Sequence, residues 1–209
     1  MDRRSVLKSL GLAAGATVAT PTIFSVLSSC TADRSTWKPT YFNDTQAITI
    51  TKVVDVNFPV SDLPGAVEVN VPQLIDVMFR DVESEDRQAV FKKGMDQFRK
   101  NFEEKSGKSI ADASVEDVEV LFEYYMKVKG KDEDRVKQLR YANPKELGGQ
   151  DLEDFYVYNF LLGTRDYTIF GYYSSEKVGK EVLNYDPIPG GFDPCISLDS
   201  LGNKSWSLG

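Results

Sequence analysis

From residue 44 onward, apolar residues recur at three- and four-residue steps, the period of an amphipathic helix. Between Ser84 and Lys105 the apolar positions are Val90, Phe91, Met95, Phe98 and Phe102, with charges between them. This predicts a helix, and Gly107 is placed to end it. Ser114 with Asp117 three residues on forms a capping box that opens a helix through Val118, Leu121, Phe122 and Tyr125. Asp151–Phe170 is the most apolar stretch, with Leu152, Phe155, Tyr156, Phe160, Leu161, Ile169 and Phe170; its aromatic stripe reads as helix packing. Pro72 suits the first turn of a shorter helix, whose Leu74, Ile75, Val77, Met78 and Phe79 predict deep burial.

Other stretches carry weaker patterns. DTQAITITKVVDVNFP (44–59) fits a strand through its β-branched run, with Ile48 and Ile50 alternating. It equally fits a helix with Asp44 as N-cap and Ala47, Ile50, Val54 and Phe58 on one face, so propensity leaves the choice open. Asp62-Leu63-Pro64-Gly65 is turn chemistry. KGKDEDR (129–135) reads as a solvated charged loop, and it lacks the residue order of a calcium loop. From Gly171 the chain grows dense in Gly, Pro and aromatics, which predicts an extended tail lying on its own domain or on a partner. The expected fold is mostly α: a single-domain irregular helical bundle with long loops and an extended C-terminal tail.

The first thirty residues change the picture. Arg3, Arg4 and Lys8 form a basic head before a weakly apolar run interrupted by glycines, hydroxyls and Pro21. That is the architecture of a removable export signal, since a span needs ~20 predominantly apolar residues. Arg3-Arg4-Ser5-Val6-Leu7-Lys8 resembles the twin-arginine consensus, from which Asp2 and Val6 depart. The alternative is an ordinary secretory signal that carries two arginines. Leu27-Ser28-Ser29-Cys30 resembles a bacterial lipobox, in which Cys30 would carry the lipid. The expected organisation is a signal over 1–29, a polar tether over 30–43 and a helical domain over 44–209. The expected location is the periplasmic side of a bacterial membrane.

Composition narrows the chemistry. Removing residues 1–29 takes three basic and one acidic side chain away and shifts the net charge from −7 to −9. So acidic a chain is a poor nucleic-acid binder, because phosphate neutralisation needs clustered Lys and Arg. The chain contains no histidine, which rules out a Ser-His-Asp triad and histidine-ligated zinc. It also lacks G-x-G-x-x-G and P-loop sequences. Cys195 is the only cysteine besides Cys30 and is expected to be a buried small residue, with pairing to another chain as the alternative. No catalytic, cofactor-binding or metal-binding set emerges.

Several motifs together resemble the gluconate 2-dehydrogenase subunit 3 family. They are Asn57-Phe58-Pro59, Leu63-Pro64-Gly65-Ala66, Val71-Pro72-Gln73-Leu74-Ile75-Asp76, Asp166-Tyr167-Thr168-Ile169-Phe170-Gly171-Tyr172-Tyr173, and the closing Tyr185, Pro187, Pro189, Gly190 and Gly191. Val56 departs from an arginine in the family pattern, and the lipobox is not shared by every member. The resemblance implies a non-catalytic small subunit whose glucose–methanol–choline type flavoprotein partner holds FAD. It admits a cytochrome c, and hence haem c, as electron acceptor. The small subunit would escort the folded partner through export and anchor it, in a dehydrogenase acting on sugars, sugar acids or glycosides. Candidate interface residues are Pro64, Gly65, Tyr172, Tyr173, Tyr185 and Phe192, whereas Leu74, Ile75, Phe160 and Phe170 are expected to pack internally. The competing reading is an autonomous lipoprotein that binds carbohydrate, although Trp37 and Trp206 lie at opposite ends of the mature chain. A glycosidase-like use of Asp151, Glu153 and Asp154 is disfavoured, since acids at a helix start complement the dipole.

Overall fold

Two long helices set the frame in the computed structural model, which describes residues 37–186, 188, 190–191 and 195–206. Arg3, Arg4, Lys8, Cys30 and Phe192 lie outside the described residues. The described α-helices are α1 (Asp44–Asn57), α2 (Val71–Asp81), α3 (Glu85–Ser106), α4 (Val115–Met126), α5 (Lys131–Arg140) and α6 (Gly149–Tyr173). The protein is mostly α, as its periodicity predicts.

The capping chemistry explains most boundaries. Asn43 and Gln46 form a reciprocal capping box that starts α1, so the ambiguous β-branched stretch is a helix and Asp44 sits in its first turn rather than at the cap. Thr49 and Thr51 donate to the carbonyls of Thr45 and Ala47, both at 2.8 Å, which satisfies their hydroxyls within the helix. Ser84 caps α3, Gly107 ends it with φ 68°, and Ser114 with Asp117 opens α4 through the expected box.

One segment departs from the sequence expectation: Lys131–Arg140 is helix α5, where a charged loop was expected over 129–135. Its acids Asp132, Glu133 and Asp134 occupy the first turn and Lys137 and Arg140 the last, an order that complements the helix dipole. Glu133 pairs with Lys137 at 2.9 Å, and Val136 and Leu139 are buried. Charge density concealed a short amphipathic pattern.

α3 and α6 run antiparallel through the centre, shown by the pairings of Glu83 with Tyr167, Phe91 with Gly163 and Gly94 with Tyr156. Phe91, Phe98 and Phe160 meet between them at ring separations of 5.1 and 5.6 Å. α1 packs against α2, α4 and α6, and α5 lies along α6. Ile50, Val53, Val54, Ile75, Phe79, Met95, Phe98, Ile110, Phe160 and Leu161 form the fully buried interior.

The segment read as a tether is packed at its end: Phe42 is buried against Phe79 and Phe91. At the other terminus, a short π-helical turn (Val178–Val182) leads to Asn184, which pairs with Trp206 as an isolated parallel bridge. The Asn184 side chain donates to the carbonyls of Leu201 and Lys204, both at 3.0 Å. The tail thus folds back on itself. Cys195 is exposed on this tail, contrary to the expectation of burial, because few core side chains reach so far along the chain.

Candidate subunit interface

Residues from four of the motifs quoted above, namely Phe58, Gly65 with Ala66, Val71 with Leu74, and Gly171 with Tyr172, meet at one corner formed by the start of α2, the end of α1 and the last turns of α6. Phe58 ends α1 and lies on the Tyr172 ring at 4.9 Å, with its edge toward Tyr173 at 6.4 Å. The carbonyl of Phe58 accepts from the Ala66 amide at 2.9 Å, which folds the intervening loop into a tight return. Gly65 is needed there because a Cβ would lie 2.8 Å from Val60 Cγ2. Asn70 takes a left-handed conformation (φ 62°), and Pro72 follows in the first turn of α2. Gly171 lets α2 approach α6, since a Cβ there would lie 2.6 Å from Leu74 Cδ2.

Asp76, on the buried face of α2, fixes the incoming chain. Its carboxylate accepts from the amides of Thr40 (2.8 Å), Tyr41 (3.1 Å) and Phe42 (3.0 Å) and from the Thr40 hydroxyl (2.6 Å). Burial disfavours the charge, but the bonds from Phe42, Thr40 and Tyr41 outweigh it and hold the carboxyl below its usual range. Nearby, Tyr167 donates to Glu83 Oε1 at 2.6 Å while Arg87 pairs with the same carboxylate at 3.1 Å. Burial first, and the Glu83 bond second, push the Tyr167 hydroxyl up to about 12.

Most motif residues are therefore architectural. Tyr172, a sequence candidate for the interface, is only 4% exposed and belongs to the packing under Phe58. Gly65 is buried and Pro64 half-buried in the loop. Tyr173 and Tyr185 reach the surface, Tyr185 at 48%. Phe170 reverses its expected role: it is 51% exposed, because Gly171 and not Phe170 faces α2. Val77 is likewise exposed and Leu74 half-buried, so the α2 stretch is less deeply covered than its composition predicts. Residues 71, 75 and 79 line one helical face, and 77 falls about 200° from 75 at ~100° per residue. Val60 and Leu63 on the loop are exposed too. Sequence reasoning missed Val60, Leu63, Val77 and Phe170 as surface residues, although the helical wheel carried the signal for Val77.

Among the described residues, no group of three or more Cys, Asp or Glu side chains is arranged to hold a metal, and no helix is long and apolar enough to cross a membrane. The fold and this corner define a small, mostly helical domain organised around a motif-built junction of three helices. The family model for gluconate 2-dehydrogenase subunit 3 matches residues 44–190, and the chain belongs to that family. No curated protein and no solved structure matches it.

Proposed function

We propose that this chain is the non-catalytic accessory subunit of a membrane-associated dehydrogenase that oxidises the hydroxyl of a sugar, sugar acid or glycoside. The observation that carries the reading is the corner itself: three elements built from the family motifs leave Val60, Leu63, Val77, Phe170 and Tyr173 facing solvent. Exposed aromatic and aliphatic side chains on a rigid scaffold are what a protein partner uses as anchors. The partner is a glucose–methanol–choline type flavoprotein that holds FAD and passes electrons to a cytochrome c. Arg3, Arg4 and Lys8 direct export of the folded pair. Cys30 carries the lipid that tethers it on the periplasmic side of the membrane; two or three acyl chains give the stable anchoring that one does not.

Affinity purification of the full chain from detergent-solubilised membranes tests this reading. The expected eluate contains a larger chain in equal amount and shows flavin absorption. Changing Arg3 and Arg4 to Lys should remove both chains from the periplasmic side together. A colourless eluate holding this chain alone would defeat the proposal.

A further inference from the structure

The point at which the chain enters the domain lies beside a basic face. Asp76 accepts from the amides of Thr40, Tyr41 and Phe42, so the entry is fixed against α2. From there the Tyr41 side chain reaches α3. Its hydroxyl donates to Gln88 Oε1 at 2.9 Å, and Lys92 Nζ sits 3.7 Å from the centre of its ring. Pro39 stands nine residues after Cys30, and a stretch of that length spans at most ~32 Å when fully extended. A lipid on Cys30 therefore keeps the entry, and the part of α3 beside it, within that reach of a bilayer.

Lys92, Lys93, Asp96, Arg99 and Lys100 fall within an arc of ~120° on α3, at ~100° per residue. They set four positive charges against one negative in a chain whose net charge is −7. Carboxylates on the same side gather toward the helix ends, at Glu85 and Asp86 in the first turn and at Glu103 and Glu104 near the last. Those in the first turn complement the helix dipole. The cations between them are loosely held. Arg99 lies 3.7 Å from Asp96 and Lys100 3.9 Å from Glu104. Lys92 and Lys93 pair with no carboxylate among the described residues; they lie over the rings of Tyr41 and Tyr156.

Charge and reach select the same occupant. A second copy of so acidic a chain would bring net negative charge but no fixed position, whereas a lipid surface is within reach wherever Cys30 is anchored. Each basic side chain near an anionic bilayer strengthens attraction to it about fivefold. We infer that the face of α3 carrying Lys92, Lys93, Arg99 and Lys100 rests on anionic phospholipid headgroups and sets the orientation of the domain on the membrane. The inference rests on the reading of Cys30 as the lipid-bearing residue. It adds a second, electrostatic attachment that screening by salt weakens while the acyl chains hold.

Lysine labelling tests it. The full chain, purified from membranes with any partner it holds, is reconstituted into vesicles of phosphatidylcholine alone or of an equimolar mixture with phosphatidylglycerol. A water-soluble amine-acylating reagent is added, and mass spectrometry reads the rate at each lysine together with the lipid on Cys30. Lys92, Lys93 and Lys100 should react about fivefold more slowly on the anionic vesicles, and high salt should remove the difference. Lys137 on α5 should react equally on both. Changing Lys92 and Lys93 to Gln should return Lys100 toward its rate on phosphatidylcholine. A protein partner covering α3 would slow labelling equally on both kinds of vesicle. Equal rates, slowing of Lys137 to the same degree, or an unchanged contrast at Lys100 in the double variant would overturn the inference. A chain without lipid on Cys30 would defeat the anchoring reading and this inference with it, whereas equal rates on a lipidated chain would defeat the orientation alone.

Discussion

Gly94 of α3 faces the backbone of Tyr156 on α6 so closely that a Cβ at position 94 would overlap the Tyr156 carbonyl oxygen and sit 2.8 Å from Phe160 Cβ. The two longest helices therefore cross at a point where α3 has no room for a side chain at position 94. Gly94→Ala forces backbone apart, and overpacking of this kind costs up to about 3 kcal/mol. Its unfolding midpoint in urea should fall accordingly. A variant as stable as the parent would show that the crossing is looser than described.

Asp76→Asn separates charge from shape. The amide presents one acceptor oxygen where the carboxylate uses two, and its NH₂ would face either the Thr40 amide and hydroxyl or the Tyr41 and Phe42 amides, all of them donors. A loss of about 2 kcal/mol is expected from denaturant unfolding. The folded Asp76 carboxyl lies below its usual value of about 3.9. Its contribution is therefore present above that unfolded value and is lost as pH falls through the folded one. In acid the parent should lose stability more steeply than Asp76→Asn, and parallel curves would contradict the assignment.

Tyr167→Phe removes a bond to the Glu83 carboxylate and should cost about 1.5 kcal/mol near neutral pH. The folded hydroxyl titrates near about 12, above the unfolded value of about 10. Its stabilisation is complete below the unfolded value and disappears as pH climbs through the folded one. Following tyrosinate absorption during alkaline titration of parent and variant checks this: one late-titrating tyrosine should vanish.

Surface and buried aromatics at the corner should respond oppositely. Phe170→Ser together with Tyr173→Ser should leave the melting transition within the ~0.5 kcal/mol typical of surface changes, yet release the partner chain during purification. Tyr172→Ala should instead destabilise the domain by about 3 kcal/mol through cavity formation under Phe58. Retention of the partner by the double variant would move the interface elsewhere.

Much of the helical fold was legible because capping residues and apolar spacing agree: Ser84 to Gly107 and Ser114 with Asp117 mark helix ends in the sequence as in the structure. α1 could not be assigned from propensity, since Thr and Val favour strands and only the Asn43–Gln46 box and burial of Ile50, Val53 and Val54 decide it. α5 was hidden because all of its first five residues, Lys131 to Arg135, are charged. The candidate interface was half legible. Tyr173 and Tyr185 do reach solvent, but Tyr172 and Phe170 exchange roles, since which neighbour of Gly171 points inward depends on where α2 crosses α6.

The closure of the tail by Asn184 has a bearing on how this chain tolerates change. The bonds from Asn184 to Leu201, Lys204 and Ser205 stay within the terminal segment, so the loop they close is tied to itself. Lengthening such a loop costs only about 0.6 kcal/mol per doubling. Position 190, where the family match ends, falls inside it. A tag or an insert placed there would change the length of the protein while leaving the six helices to fold as before.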